Sequence, residues 1–377
     1  MDFKELGISL PIINGLEKEK IITPTKVQEA VIGKIMDNKD LIVQSETGSG
    51  KTLAYLLPLF EKMQPIESGM KVIVLVPTHE LAMQVQRQIQ LLAKNSEINI
   101  TSTTIFGDVN IIRQIEKLRE KPQIVIGTTG RIIDLIAKRK ITAHTIKTIV
   151  VDEADKMLDK NNIDGVKAVI KCCMRDTQLL MFSASIAADT IKEAEKLAKD
   201  PEIVKTSEGF VVPTNIEHIY FLVERREKIE LFRKIAKSIN PEKALVFINK
   251  VSEIEEVTQK LQYHNYSADC IHGTSQKKDR EKVIQDFKSG KLQFLVATDI
   301  AARGLHIEGV TTVFHLSIPE EPLDYLHRAG RAGRGQEKGL SVSLVTKEEL
   351  TRIKAYQKAF GINIVAKKMY EGKIVKD

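Results

Sequence analysis

Tryptophan is missing from this chain of 377 residues, aromatic residues make up 5% of it, and cysteine occurs three times. Cys172, Cys173 and Cys270 include one adjacent pair and show no metal-site spacing, which argues against a zinc module or a disulfide framework and for a reducing compartment. No apolar run approaches the roughly 20 residues that span a bilayer. The opening "MDFKELGISL" has no charged leader followed by an apolar stretch. Apart from a short basic end, "KKMYEGKIVKD", nothing is repeated or low in complexity. These absences lead to the expectation of a cytoplasmic, globular protein without a membrane partner.

What is present has ordinary globular proportions, 42% hydrophobic and 28% charged, and enough length for two domains with separate cores. Lys and Arg outnumber Asp and Glu by 57 to 50, a net charge of +7, with a pI near 9.0. That modest excess is compatible with a nucleic-acid partner. Short β-rich runs ("LIVQ", "KVIVLVP", "QIVIGT", "TIVVDEAD", "LLMFSAS", then "KALVFIN", "FLVAT", "TTVFHL", "LSVSLVT") alternate with helix-period segments, the pattern of α/β folds with parallel sheets covered by helices. The polar stretch "KTSEGFVVPTN" reads as the seam. We expect α/β domains over 31–205 and 214–365, an N-terminal segment 1–30 belonging to the first, a linker at 206–213 and a basic tail at 366–377.

One loop sets the chemistry. "QSETGSGKT" lies between an apolar run and "LAYLLPLF", so it reads as strand, glycine turn and helix start. Gly48 and Gly50 allow several N–H groups to turn toward one anion, Lys51 adds a point charge, and Thr52 offers a hydroxyl at a helix N-terminus. Ser45 occupies the slot where the usual phosphate-loop spacing opens with Gly. A Gly/Ser turn capping a core helix is the plainer reading, but the strand, the Gly-Lys-Thr ending and the apolar helix together favour phosphate. The first β-rich run read in the second half, "KALVFIN", leads into "VSEIEE" with no glycine turn. Two α/β halves sharing one nucleotide site suggest that the second acts on the first.

"TIVVDEADKM" puts Asp152 and Glu153 at the end of an apolar strand, where ligands sit in open α/β sheets. Asp152 is assigned to Mg²⁺ together with Thr52, and Glu153 to the general base for an attacking water. Asp155 is read as a link between elements. "HRAGRAGR" holds Arg331 and Arg334 three apart, so a helical turn would aim both guanidinium forks at the same phosphoryl oxygens. The plainer readings are an acidic strand end that caps a helix, and a solvated basic helix or one that contacts RNA phosphates.

Taken in order and spacing, these segments resemble the DEAD-box ATP-dependent RNA helicase family, from Phe3 to about residue 346. The resemblance is carried by Phe3 with "TPTKVQ", "SETGSGKT", "PTHELA", "TTGR", "DEAD" and "SAS", then "HG", "ATDIAARGL" and "HRAGRAGR". It implies two tandem RecA-like domains, ATP and Mg²⁺ as cofactors, and RNA as the partner. Segment 1–30 would read adenine, with Gln28 on the base edge and Phe3 stacked on the ring. Ser45, Glu46, Thr47, Gly48, Ser49, Gly50, Lys51, Thr52 and Gly304 would surround the rest of ATP. Thr78, Arg131, Gly273 and Thr298 would touch the RNA backbone, although each is equally a capping or turn residue by type. Ser183 and Ser185 would couple the two sites, with Asp155. Lys51, Glu153, Arg331 and Arg334 would carry catalysis.

Four positions depart from the family pattern: His79 for Arg in "PTRELA", Thr129 for Pro in "TPGR", His306 for Asp after "ARGL", and a single Gly in "FGDVN". None removes the lysine, the carboxylates or the arginines. The function that follows is ATP-driven closure of a monomeric two-domain clamp that separates short RNA duplexes or remodels RNA–protein particles such as ribosomal ones. The scarcity of aromatic residues favours backbone recognition over sequence reading by stacked bases. An ATP-gated RNA clamp or scaffold that unwinds little is the alternative. The intact Lys51, Asp152, Glu153 and Arg331 argue against a regulatory subunit that has lost activity. A phosphate-loop kinase leaves the second half and "HRAGRAGR" unexplained. A DNA translocase shares the sheet architecture and is separated by a 2′-OH requirement.

Overall fold

A computed structural model describes residues 1–376 except 47, 108, 185–187, 207–214, 273–276, 303–306, 308 and 334–336. The chain divides into two compact units, Met1–Val211 and Val212–Asp377.

Among the described residues, the first unit is built on seven strands: β1 Leu41–Gln44, β2 Val72–Leu75, β3 Ser102–Ile105, β4 Ile124–Gly127, β5 Thr148–Asp152, β6 Gln178–Ser183 and β7 Glu202–Lys205. Their order is β3-β4-β2-β5-β6-β1-β7, and every pairing is parallel. Successive strand side chains point to opposite faces, and here both faces are apolar. Leu41, Val43, Val72, Val74, Ile124 and Ile126 enter one cluster. Their neighbours Ile42, Ile73, Leu75 and Val125 enter the other. Burial on both sides explains why these strands read as continuous hydrophobic runs. Helices Leu10–Lys18, Lys26–Met36, Lys51–Lys62 and His79–Ser96 fill the first cluster, and Thr129–Ala137 and Ile163–Cys172 the second.

The second unit carries β8 Ile216–Leu222, β9 Ala244–Phe247, β10 Ala268–Ile271, β11 Phe294–Ala297, β12 Thr312–His315, β13 Gly339–Val345, β14 Ile364–Tyr370 and β15 Lys373–Lys376. Their order is β10-β11-β9-β12-β13-β8-β14-β15. Counted from its own first strand, this sheet repeats the order of the first sheet through seven strands. Its pairings are parallel until β15, which turns back antiparallel on β14. Ala244 and Val246 face one apolar cluster, Leu245 and Phe247 the other.

Two expectations change. The first strand of the second half is β8, one element before "KALVFIN"; it escapes notice because Glu217 and His218 interrupt its apolar run. Residues 366–376 are no loose tail: they complete β14 and form β15 at the sheet edge. Most of the expected linker, 207–213, lies outside the described residues. Among the described residues, no helix is long and apolar enough to cross a membrane.

Candidate nucleotide and RNA sites

The strand order β5-β6-β1 brings three carboxyl ends side by side in the first unit. Ser45 leaves β1 with its N–H donating to Ser183 O on β6 at 3.0 Å. Its hydroxyl donates to Ser49 Oγ at 2.8 Å, and Ser49 Oγ to Glu46 O at 2.7 Å, so the loop closes on itself. Gly48 and Gly50 hold φ of +83° and +90°, the left-handed region open to glycine. A Cβ at Gly50 would also fall 2.6 Å from Gln28 Nε2. Lys51 opens the helix Lys51–Lys62, and its ammonium donates to Ser45 O and Glu46 O, each at 2.6 Å. Burial lowers the Lys51 pKa, against the pull of Asp152, Asp155, Glu153 and Glu46. Thr47 lies outside the described residues.

Asp152 ends β5 buried. Its Oδ2 accepts from Tyr55 OH at 3.0 Å and its Oδ1 from Glu153 N at 2.9 Å. Burial pushes its pKa up to about 6, opposed by Lys51 and by these two hydrogen bonds. Tyr55 stands one turn beyond Lys51 and Thr52 on the same helix, and burial beside Asp152 raises its phenol well above the ordinary value. That i, i+3 and i, i+4 spacing was the available sequence signal for Tyr55, and it went unread. Glu153 sits at φ +50°, ψ +53°, a left-handed backbone for a residue with a side chain, and its carboxylate pairs with Lys156 at 3.1 Å. Ser183 Oγ donates to Asp155 Oδ1 at 2.6 Å, tying β6 to the turn after β5. Burial raises the Asp155 pKa, with Lys156 and Ser183 opposing. Ser185 is outside the described residues.

Gln28 is 1% exposed and both ends of its amide are engaged. Oε1 accepts from Thr25 N at 2.9 Å, closing the helix start at Lys26, and Nε2 donates to Gly50 O at 3.2 Å. It therefore braces the loop that holds Lys51. Phe3 is 2% exposed within the apolar cluster beside Ile8 and Ile12. Its ring packs the core and offers no free face to a base, which corrects its reading as a stacking platform.

The backbone-contact candidates are similarly committed. Thr78 caps the helix His79–Ser96, its Oγ1 accepting from Leu81 N at 3.3 Å. Arg131 donates to Val109 O at 2.9 Å and to Gly107 O. Buried Gln114 binds the same loop through Phe106 N, Phe106 O and Val109 O, each at 2.9 Å. Arg131 and Gln114, the latter overlooked in the sequence, thus hold Phe106, Gly107 and Val109 together. His79 lies against Phe106, ring centroids 4.0 Å apart. Thr129 meets Gly165, where a Cβ would fall 2.6 Å from Thr129 Oγ1, so the helices at Thr129–Ala137 and Ile163–Cys172 approach closely there.

In the second unit Thr298 Oγ1 accepts from Ala301 N at 3.2 Å, capping the turn after β11. The helix Pro322–Ala329 ends before Arg331, so Arg331 stands in the turn that follows it. Gly273, Gly304, His306 and Arg334 are outside the described residues. The arginine the sequence reading passed over is Arg328, 2% exposed. It donates to both oxygens of Asp299, to Ser317 O at 2.6 Å and to Asn249 Oδ1 at 2.9 Å, and its guanidinium lies 5.1 Å from the Phe247 ring centre. It welds the helix that leads to Arg331 onto the ends of β9, β11 and β12.

A family model described as DEAD/DEAH box helicase matches residues 25–194, and one described as helicase conserved C-terminal domain matches 227–336. The chain is 38% identical to the DEAD-box ATP-dependent RNA helicase CshC of Bacillus cereus over 93% of its own length and 89% of that protein. It is also 38% identical to the probable ATP-dependent RNA helicase YfmL of Bacillus subtilis, over 90% of each. A solved structure of S. cerevisiae Dbp5 bound to RNA and ADP BeF3 superposes with a TM-score of 0.88 at 29% identity, covering 97% of this chain and 95% of that one.

Proposed function

This chain belongs to the DEAD-box family of ATP-dependent RNA helicases, enzymes of two tandem RecA-like domains that hydrolyse ATP, and on that premise we propose a mechanism and roles for its residues. The observation that carries the reading is the convergence of Lys51, Asp152 and Glu153 at the carboxyl ends of β1 and β5. On binding ATP, Lys51 exchanges the carbonyls of Ser45 and Glu46 for phosphate oxygens, and the N–H groups of the Ser45–Thr52 loop surround the phosphates. Glu153 takes the proton of the attacking water, with its carboxylate aimed by Lys156. Gln28 holds the loop through Gly50 and turns an amide edge to adenine.

The donor chemistry fits Mg²⁺: the Thr52 hydroxyl and Asp152 carboxylate are hard oxygen ligands, and a buried carboxylate with a raised pKa gains from a cation beside it. Thr52 and Asp152 would hold the ion, directly or through water, and when bound it offsets negative charge on the β- and γ-phosphates. Tyr55 keeps Asp152 oriented for that role.

Arg331 and Arg334 supply the second unit's cations to the phosphoryl group, a contribution worth roughly 10³–10⁵ in rate where such arginines act. RNA lies with its backbone against Thr78, Arg131, Gly273 and Thr298, and Ser183, Ser185 and Asp155 link that side to the nucleotide. Each ligand favours the closed clamp. Moving a two-state clamp from mostly open to mostly closed takes about 5.5 kcal/mol of differential binding. Unstacking costs roughly a few kcal/mol per step, so one ATP opens only a few base pairs. The protein acts as a cytoplasmic monomer on short duplexes or on RNA–protein particles, ribosomal precursors among them.

ATPase rates with and without single-stranded RNA, with DNA and Glu153→Gln as controls, test this reading. RNA-specific stimulation abolished by the substitution is expected, and absence of stimulation by any RNA would overturn it. Stimulation without strand separation on a short duplex would leave the ATP-gated clamp.

A further inference from the structure

The geometry points to a second RNA-binding surface, on the β14–β15 hairpin, built to hold single-stranded RNA flanking the site where ATP acts. It rests on the reading that RNA is the substrate. Residues 364–376 carry four lysines and one glutamate. Glu371 and Gly372 turn the chain with φ of +48° and +74°, the two-residue geometry that matches strand twist and fixes register. Lys367 then faces Lys376, and Tyr370 faces Lys373.

Alternation sorts these side chains. Val365, Met369 and Ile374 pack on the core, with Lys367 and Lys376 extending that face outward. The opposite face presents Lys368, Tyr370 and Lys373, beside Leu222 of β8, on the same side as Tyr220 and its partner Ala366. Tyr370 is 62% exposed and Leu222 48%, whereas Tyr325 and Tyr356 of the same unit are fully buried. Among the described residues, Lys367, Lys373 and Lys376 join no ion pair. On the face beside Leu222, the exposed Tyr370 ring stands opposite Lys373 and two residues from Lys368, the combination that binds single strands, base on ring and phosphate on ammonium.

Place in the sheet separates this surface from the candidate contacts at Thr298. β15 lies six strands from β11, roughly 30 Å at about 4.8 Å per strand. A short oligonucleotide held at β11 cannot reach it, but a longer one can.

The test is fluorescence anisotropy of the full chain with labelled oligo-U of 6 and 20 nucleotides, across a salt series. Tyr370→Ala should weaken the 20-mer by roughly 5- to 100-fold, with Tyr370→Phe restoring it. The double change Lys368→Gln, Lys373→Gln should lower the slope of log affinity against log salt by roughly 1.4, at about 0.7 for each phosphate no longer neutralised. Affinity for the 6-mer and ATPase without RNA should stay unchanged. Wild-type affinity and slope for the 20-mer in these variants would overturn the proposal. So would variants that only self-associate on gel filtration, since edge lysines also guard against strand pairing. A wild-type chain that binds neither oligonucleotide would instead remove the RNA reading itself.

Discussion

β1 and β8 hold the same place in two sheets wound in the same order, and each is followed by a helix whose first residue is a lysine. Their surroundings differ. Lys51 follows a loop with two left-handed glycines, and its ammonium rests on two carbonyl oxygens. Lys228 follows "VERRE", which has no glycine, and it donates to Glu349 Oε2 at 2.7 Å and Leu316 O at 3.0 Å. Leu316 succeeds β12, the counterpart of the strand that ends in Asp152. The fold supplies both units with a lysine at the start of the α-helix that follows this strand. A phosphate site needs in addition a loop that can turn its N–H groups inward and a cation with no carboxylate of its own.

The sharpest way to break that contrast is at the two lysines. Lys51→Ala should cut ATP hydrolysis by about 10²–10³-fold, the scale of losing one preorganised group at a developing charge. Lys228→Met, which keeps the apolar stem, should bind the nucleotide as wild type does and lower only stability; steady-state ATPase and nucleotide titration check both. Glu349→Ala leaves Lys228 with a lone buried charge and should cost about 3 kcal/mol. For a unit of this size that corresponds to a fall in Tm of about 6–12 °C, read by calorimetry. Unchanged Tm would mean that the ion pair is not what holds Lys228.

Tyr55→Phe keeps the ring but removes the hydroxyl that orients Asp152. At about 1.5 kcal/mol for a hydrogen bond to a charged group, Tm of the first unit should fall by about 3–6 °C, and steady-state ATPase should fall with it as Asp152 loses its orientation. The smallest effect is acid sensitivity of the second unit. Burial lowers the pKa of His218 to about 4 and that of His315 well below its ordinary value. A depressed base contributes stability above its unfolded pKa and loses it as pH falls toward the folded one. The loss from His218 should begin near pH 6.5 and amount to roughly 1 kcal/mol by pH 5.5. Six of the seven tyrosines lie in the second unit and the chain has no tryptophan. Tyrosine fluorescence during thermal melts therefore reports that unit, and a pH-independent melt from 7 to 5.5 would refute the assignment.

What the sequence disclosed followed from contiguity. "SETGSGKT" and "DEAD" state their chemistry within a few residues, and the continuous apolar runs announced a doubly covered sheet. Partners that meet only after folding stayed hidden: Tyr55 with Asp152, Gln28 with Gly50, and Arg131 and Gln114 on one loop. The family resemblance gave Phe3 and Arg131 exposed roles, whereas Phe3 is buried and Arg131 donates to backbone carbonyls. β8 went unread because a buried histidine looks polar until its Nδ1 is seen 2.8 Å from Tyr325 OH.

Nucleotide stoichiometry tests the central contrast most directly. Equilibrium dialysis of the intact chain with Mg²⁺ and a non-hydrolysable ATP analogue should give one nucleotide per chain, abolished by Lys51→Ala. Two nucleotides per chain, or one that survives Lys51→Ala, would contradict the assignment of phosphate binding to the loop after β1.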